Sequence, residues 1–321
     1  MSMSFGWSLA AACVLILMGI LGVVFLWGYA PDLPLDQVKA RWAKPPSYFP
    51  TIDGMDIHVR DEGPKSDLPI VLLHGTGSSL LSWDGWADGM KQTRRVIRFD
   101  RPGFGLTGPD PTGDYHMDRA AKITLDLLDK LGVHRFILAG NSSGGRVAWH
   151  VALRSPDRVA GLILVDAAGY SRTTPLPLAL RIAQSEAGSA LMQVFMPRAV
   201  AVAGLRAVYG DPQRLRPETI AWNLDISRRA GVRRALRQTL LQAPVPDDSS
   251  RIREITAPTL ILWGDRDTTV TRGEAERFHA DIRGSRLAIL PGLGHLPHEE
   301  DPTATLVPVE EFLRQLPESR V

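Results

Sequence analysis

Hydrophobic residues fall along this chain in three rhythms, and each predicts a different kind of element. Residues 5–30 form one apolar run with no charged side chain. It exceeds the roughly 20 apolar residues that cross a bilayer, and Trp7, Trp27 and Tyr29 near its ends suit the aromatic belts of a membrane interface. The pattern predicts a single uncleaved transmembrane anchor. A signal peptide fits less well, because no positive charge precedes the apolar run, although Gly28-Tyr29-Ala30 would pass as a weak cleavage site. Residues 31–50, with five prolines, read as a short stiff linker.

From residue 51 the second rhythm begins, in which short apolar runs alternate with helical spacing. Residues 52–60 alternate around Asp53-Gly54 as a hairpin or edge strand. Residues 69–74 form an unbroken apolar run of the kind found in strands buried on both faces of a parallel sheet, and residues 95–100, 136–139 and 159–165 read as further strands. Between them, residues 83–90 read as a short helix. Residues 117–131 repeat at helical spacing through Ile123, Leu127, Leu128 and Leu131 and stop at Gly132. Strand and helix alternate again in residues 258–264, 272–278, 286–290 and 304–316. That order predicts right-handed crossovers, hence an α/β fold with a mostly parallel, doubly wound sheet. Residues 169–250 break the alternation. This third stretch is rich in Ala, Leu and Arg and reads as a helical cap inserted into a core of residues 51–168 and 251–321.

Charge adds a second layer. The 321 residues carry a net charge of only +2, which argues against a nucleic-acid binder. The cap is nevertheless basic, with eleven arginines against six acidic residues. Arg228-Arg229 and Arg233-Arg234 recur at helical spacing. They read as a solvated helix face, or as one that leans on anionic lipid headgroups. Residues 192–203, with two methionines, read as packing within the cap or as the lining of an acyl pocket. Lys39, Arg41 and Lys44 follow the apolar run and no Lys or Arg precedes it, which favours a catalytic domain on the cytoplasmic side. The lone Cys13 leaves no intrachain disulfide and no cysteine metal site. No metal is expected. No phosphate-binding loop, dinucleotide fingerprint or internal repeat is present, and no cofactor is expected.

The candidate chemistry sits at predicted strand ends, where such sheets bind ligands. Gly140-Asn141-Ser142-Ser143-Gly144-Gly145 follows one strand and opens a helix. Strand, G-x-S-x-G and helix is the context of a nucleophile elbow. The glycines allow the backbone to turn sharply. Serine is a weak nucleophile without a base, and that base is usually a histidine held by a carboxylate. Later strand ends supply Asp265-Arg266-Asp267 and Gly294-His295, giving the chain order Ser, Asp, His.

From residue 51 to residue 316 the chain resembles the α/β-hydrolase family. The matching segments are His74-Gly75, Asp100 to Gly105 in the form DRPGFG, the elbow, Trp263-Gly264-Asp265-Arg266-Asp267, and Gly294-His295. The resemblance implies Ser142 as nucleophile, His295 as base and Asp267 as the acid. The backbone N–H groups of Thr76 and Ser143 would form the oxyanion hole. His298 competes as base, Asp166 and Asp265 as acid, and Gly77 as the second oxyanion donor. A salt bridge is the expected role of Asp265. His74, Asp100 and Arg101 are expected to shape their loops. Relatives that open epoxides or remove halide carry Asp at the elbow, so Ser142 points to acyl transfer instead. The expected activity is hydrolysis of a carboxylic ester or lipid-like substrate beside a membrane. Cleavage of C–C bonds in ring-cleavage-type diketones is the alternative, perhydrolysis a lesser one, and a non-catalytic binding protein the reading from another class.

Overall fold

The structure is a computed structural model that describes residues 14–19, 22–65, 68–171, 178–242 and 247–316. Its centre is a seven-stranded sheet built from β3 (Val59–Glu62), β4 (Ile70–Leu73), β5 (Val96–Phe99), β6 (Phe136–Asn141), β7 (Val159–Val165), β8 (Thr259–Gly264) and β9 (Arg286–Leu290). The strand order is β3-β5-β4-β6-β7-β8-β9. Only β3 runs antiparallel, on the edge. The fold is therefore an α/β hydrolase sheet, mostly parallel. The unbroken apolar runs have the expected cause: every residue of β4, β6, β7 and β8 is buried. A separate hairpin, β1 (Thr51–Ile52) with β2 (Met55–Asp56), turns through Asp53-Gly54.

Helices cover both faces. On one side α3 (Met117–Lys130) and α4 (Ser143–Arg154) bury Ile123, Leu127, Leu128, Val147 and Trp149 in one cluster with Val71, Phe136 and Leu162. After β8, α10 (Arg272–Asp281) adds Phe278 to the same cluster. On the other side, α2 (Asp84–Met90) and α12 (Pro302–Leu313) contribute Trp86, Met90, Val309 and Phe312 to a second cluster with Ile70, Ile137 and Ile163. A single turn, α11 (Pro297–Glu300), precedes α12. Strand side chains point alternately to the two faces, so neighbours such as Ile70 and Val71 fall in different clusters.

Between β7 and β8 the described residues form five α-helices: α5 (Leu178–Gln184), α6 (Glu186–Met192), α7 (Arg198–Ala207), α8 (Pro217–Ser227) and α9 (Val232–Gln242). Large apolar side chains stay exposed on the first three, including Leu178, Leu191 and Val200.

The amino-terminal part departs from a plain spacer. Inside the stretch read as a linker, α1 (Leu35–Trp42) buries Val38 completely, against Leu80, Trp222 and Ile226. The prolines precede and follow the helix rather than interrupting it; Pro34 stands at its N-cap, before the first turn. Of the arginines read as a solvated face, Arg228, Arg229 and Arg233 turn inward and Arg234 stays exposed. Arg233 is buried and donates to the carbonyls of Ala30 and Met192 and to Asp32. Arg228 Nε donates to Pro31 O, and Arg229 to Thr107 O. Short bridges join Tyr29 to Phe195 and Leu33 to Arg229. The amino-terminal segment is thus hydrogen-bonded onto the helical insertion. Residues 14–19 and 22–28 are helical, with Leu15, Val23 and Leu26 more than half exposed. Among the described residues no helix is long and apolar enough to cross a membrane. The rest of the apolar run, Cys13 included, lies outside the described residues.

Candidate active site

The elbow is built by steric exclusion. Ser142 follows the last residue of β6 at φ 54°, ψ −122°, a backbone state that L side chains rarely adopt. Its N–H donates to Val165 O (3.1 Å), and its carbonyl accepts from Ala168 N–H (3.0 Å) and Arg146 N–H (3.1 Å). These bonds to the end of β7 and to the first turn of α4 hold the strained turn in place. A methyl group at Gly140 would strike the backbone of Gly144, and one at Gly144 would strike the carbonyls of Leu73 and His74. The Ser142 hydroxyl makes no hydrogen bond among the described residues, which leaves it available.

The loop after β9 carries His295, which is buried, and the loop after β8 carries Asp267. His295 Nδ1 stands 2.7 Å from Asp267 Oδ2. The other oxygen, Oδ1, accepts from Thr269 N–H (2.7 Å) and Val270 N–H (3.0 Å). With Asp267 fixed by two backbone donors, the histidine ring has one orientation and one tautomer, Nδ1–H toward the carboxylate and Nε2 free to accept a proton. Asp265 works elsewhere. Its Oδ1 accepts from Gly292 N–H (2.7 Å), tying together the loops after β8 and β9. The expected salt bridge is replaced by this backbone bond. His298 is fully buried, stacked 4.0 Å from the Trp83 ring with both nitrogens unpartnered. Burial, reinforced by the neighbouring His295, pushes its pKa down to about 3, so it stays neutral.

Asp166 lies beside this pair. Oxygen or nitrogen atoms of Asp166, Asp267 and His295 all fall within 4.8 Å of one another. Burial and then the Asp267 charge push the Asp166 carboxyl well above its usual range. One of its oxygens accepts from Gly264 N–H (3.0 Å). Two adjacent buried carboxyls cannot both ionise cheaply, and the one that already holds the histidine and two amides remains the anion. The same engagement leaves this group poorly suited to a metal, because His295 Nδ1 is turned to Asp267.

Opposite the elbow, the turn after β4 presents Thr76, exposed, with its hydroxyl donating to Ser143 Oγ (2.8 Å). No described acceptor takes the N–H of Thr76 or Ser143, and Ser143 opens α4, where backbone donors lack intrahelical partners. The two N–H groups are therefore free to receive an anion. Gly77 follows at φ 72°, which lets the turn reverse. His74 behaves as a loop brace. Its Nε2 accepts from Arg101 N–H (3.0 Å) while Nδ1 lies 2.8 Å from Gly75 O, and burial drives its pKa to about 3. Asp100 braces from the other side, accepting from Ser79 Oγ, Leu80 N–H, Leu106 N–H and His58 Nδ1, each at 2.7–2.8 Å. Burial would raise its pKa; the His58 charge and these donors outweigh that and bring it to about 2. Arg101 reaches further than a brace. Its Nη2 donates to Ser143 Oγ (2.8 Å), its Nε has no partner, and burial lowers its pKa to about 10.

Two contributors carry no motif. Asn141 is buried and donates to both Val165 O (3.1 Å) and His295 O (3.0 Å), so it joins the elbow strand to the histidine loop. Only its place inside the elbow hinted at a role. The Glu300 carboxylate accepts from Gly294, Gly210 and Asp211 N–H groups, and His295 N–H donates to Val208 O (2.8 Å). The histidine loop is thereby fastened to residues 208–211, just after α7. The signal for Glu300 is a tertiary one, absent from local pattern.

Comparison with known proteins bears on the family and the fold. Residues 70–309 match the family described as the alpha/beta hydrolase family. A 2-hydroxy-6-oxononadienedioate/2-hydroxy-6-oxononatrienedioate hydrolase of Escherichia coli is 30% identical over 254 residues, covering 74% of this chain and 84% of its own. Among solved structures, a thermophilic esterase of Thermogutta terrifontis superposes with a TM-score of 0.68 at 26% identity, over 84% of this chain and 97% of the esterase. A membrane phospholipase A described as a bacterial virulence factor gives a TM-score of 0.71 at 24% identity, over 96% of this chain and 98% of the phospholipase.

Proposed function

This chain belongs to the alpha/beta hydrolase family, and from that premise we propose that it is a serine hydrolase that cleaves a carboxylic ester through an acyl-enzyme, held to a membrane by its apolar amino-terminal segment. The observation that carries the reading is the His295–Asp267 hydrogen bond of 2.7 Å behind the strained Ser142 elbow. Ser142 Oγ attacks the ester carbonyl carbon while His295 Nε2 takes its proton. Asp267 keeps Nδ1–H and stabilises the imidazolium. The Thr76 and Ser143 N–H groups meet the oxyanion, each such donor being worth about 3–4 kcal/mol in the transition state. His295 then protonates the leaving alkoxide. A water, deprotonated by the same imidazole, opens the acyl-enzyme and restores Ser142.

Attachment to a membrane is supported by the charge-free run and by its continuation on the helical insertion. Val24, Phe25, Leu26 and Trp27 are exposed, as are Leu178, Leu191, Val194 and Val200. Exposed apolar side chains in this number suit an interaction face, and a substrate drawn from lipid would meet the protein there.

Cleavage of a C–C bond in a ring-cleavage-type diketone is the second reading. It is favoured by the buried Arg101 guanidinium beside Ser143, whose chemistry suits a carboxylate on the substrate. Hydrolysis of p-nitrophenyl esters of increasing chain length, with Ser142→Ala as control, tests the first reading. An active preparation unaffected by Ser142→Ala would defeat the mechanism. Inert esters with cleavage of vinylogous diketones would favour the second. A folded protein that binds but turns over neither would be a non-catalytic member of the fold.

A further inference from the structure

We infer that a cleft at the foot of the amino-terminal apolar segment binds the phosphate-bearing headgroup of an anionic lipid. The inference rests on the membrane attachment proposed above but uses none of the active-site residues. The cleft holds about 330 Å3 and is walled by Trp27, Tyr29, Arg41, Arg198, Asp225 and Arg228 among others. Four separate parts of the chain meet there: the end of the apolar run, α1, the start of α7, and the end of α8.

The charges point to an anion. Three guanidinium groups face one carboxylate. Arg41 answers that carboxylate, with its Nη1 at 2.6 Å from Asp225 Oδ2, where Trp42 Nε1 also donates at 2.9 Å. Arg228 engages only its Nε, on Pro31 O at 3.0 Å, and no described acceptor takes its terminal nitrogens. Arg198 is exposed and has no described partner. Two positive charges therefore remain at the cleft after the internal pair is formed. Arginine presents parallel donors that match phosphate oxygens. Arg198 is also the first residue of α7, a ten-residue helix whose positive dipole end falls at the same place.

The apolar surroundings distinguish a lipid from a free ion. Trp27 and Tyr29 are 62% and 53% exposed. They end a run without charge and stand beside the arginines, the arrangement of side chains found where acyl chains give way to headgroups. Basic clefts at that level recognise anionic lipids through the headgroup phosphate. Inorganic phosphate shares the oxygen chemistry and lacks the acyl chains.

The test uses the full chain with Ser142→Ala, which removes turnover, purified in a neutral detergent. Thermal unfolding is followed while phosphatidylglycerol, phosphatidylcholine or inorganic phosphate is added. A ligand that binds the folded state raises Tm in a saturable way. The expected result is a saturable rise with phosphatidylglycerol, none with phosphatidylcholine, and loss of the rise in the additional variant Arg198→Glu. Because Arg198 is exposed and unpartnered, the lipid-free Tm of that variant stays unchanged and serves as the folding control. A rise that survives Arg198→Glu, or that phosphatidylcholine matches, overturns the site. An equal rise with inorganic phosphate alone overturns the lipid assignment. Release of the wild-type protein from membranes by alkaline carbonate would defeat the anchor and leave this micelle measurement readable.

Discussion

The sheet-edge site and the amino-terminal junction are held together by opposite means. At the sheet edge, carboxylates collect backbone N–H groups from neighbouring loops, Asp267 and Glu300 from buried positions and Asp265 from an exposed one. Asp267 fixes the turn after β8 and the histidine ring, Asp265 joins the loops after β8 and β9, and Glu300 fastens the histidine loop to the helical insertion. At the junction, arginines collect carbonyls. Arg228, Arg229 and Arg233 grip residues 30–31, 107 and 192. The first arrangement is largely buried and leaves the Ser142 hydroxyl and the Thr76 and Ser143 N–H groups without a described partner. The second borders exposed apolar surface and leaves charge unengaged. On the proposed reading the two regions divide the work accordingly: geometric precision at the sheet edge, adhesion at the junction.

Substitutions separate the two, beginning with the largest effect. Ser142→Ala removes the attacking oxygen and is expected to lower kcat by roughly 10^6-fold with an unchanged Tm. Asp267→Asn keeps the shape but favours the wrong histidine tautomer, for a loss of about 10^4-fold in kcat. Asp166→Asn replaces a carboxyl whose pKa burial and the Asp267 charge push well above its usual range, so a change of less than about tenfold in kcat is expected. If the two asparagine variants exchange these effects in parallel kcat assays, the acid has been assigned to the wrong strand.

A pH titration of stability probes the carboxylates, Asp100 among the most deeply buried. Asp100 has a folded pKa of about 2, below its ordinary value near 3.8. Its contribution is present above the ordinary value and fades as the pH falls through 2. The shift corresponds to about 2 kcal/mol. Urea unfolding between pH 5 and pH 2 should show that loss, and Asp100→Asn should reduce this pH dependence, to which Asp61 and Asp110 also contribute, while lowering stability at pH 7. The junction gives the smallest change in the folded core. Leu178→Asp and Val200→Asp alter exposed positions, so Tm and hydrolysis of a soluble ester should move little, within about 0.5 kcal/mol. Sedimentation with lipid vesicles should nevertheless fall. Equal vesicle binding by these variants would detach the helical insertion from the membrane reading.

The two regions were also unequally legible in the sequence. Strands buried on both faces write themselves as unbroken apolar runs, so β4, β6, β7 and β8 were readable from hydrophobicity alone. The elbow was readable because only glycine fits against the backbone around Ser142. The loops bearing Asp267 and His295 followed from their places after strands. The junction was not readable. Helical spacing placed the arginine pairs on one face, yet Arg228, Arg229 and Arg233 find carbonyls distant in the chain, 197 positions away for Arg228 with Pro31 and 122 for Arg229 with Thr107. Prolines suggested a spacer around α1, whose burial depends on Trp222 and Ile226. Asn141 and Glu300 were missed for the same reason: each acts through a backbone group brought near only by the fold.

The nucleophile is tested most directly by covalent labelling. The wild-type protein, treated with a fluorophosphonate and digested, should carry the label on the peptide containing Ser142, with labelling abolished by Ser142→Ala and slowed by Asp267→Asn. Modification of a different residue, or no modification of a folded protein, would contradict the assignment of Ser142 as the nucleophile.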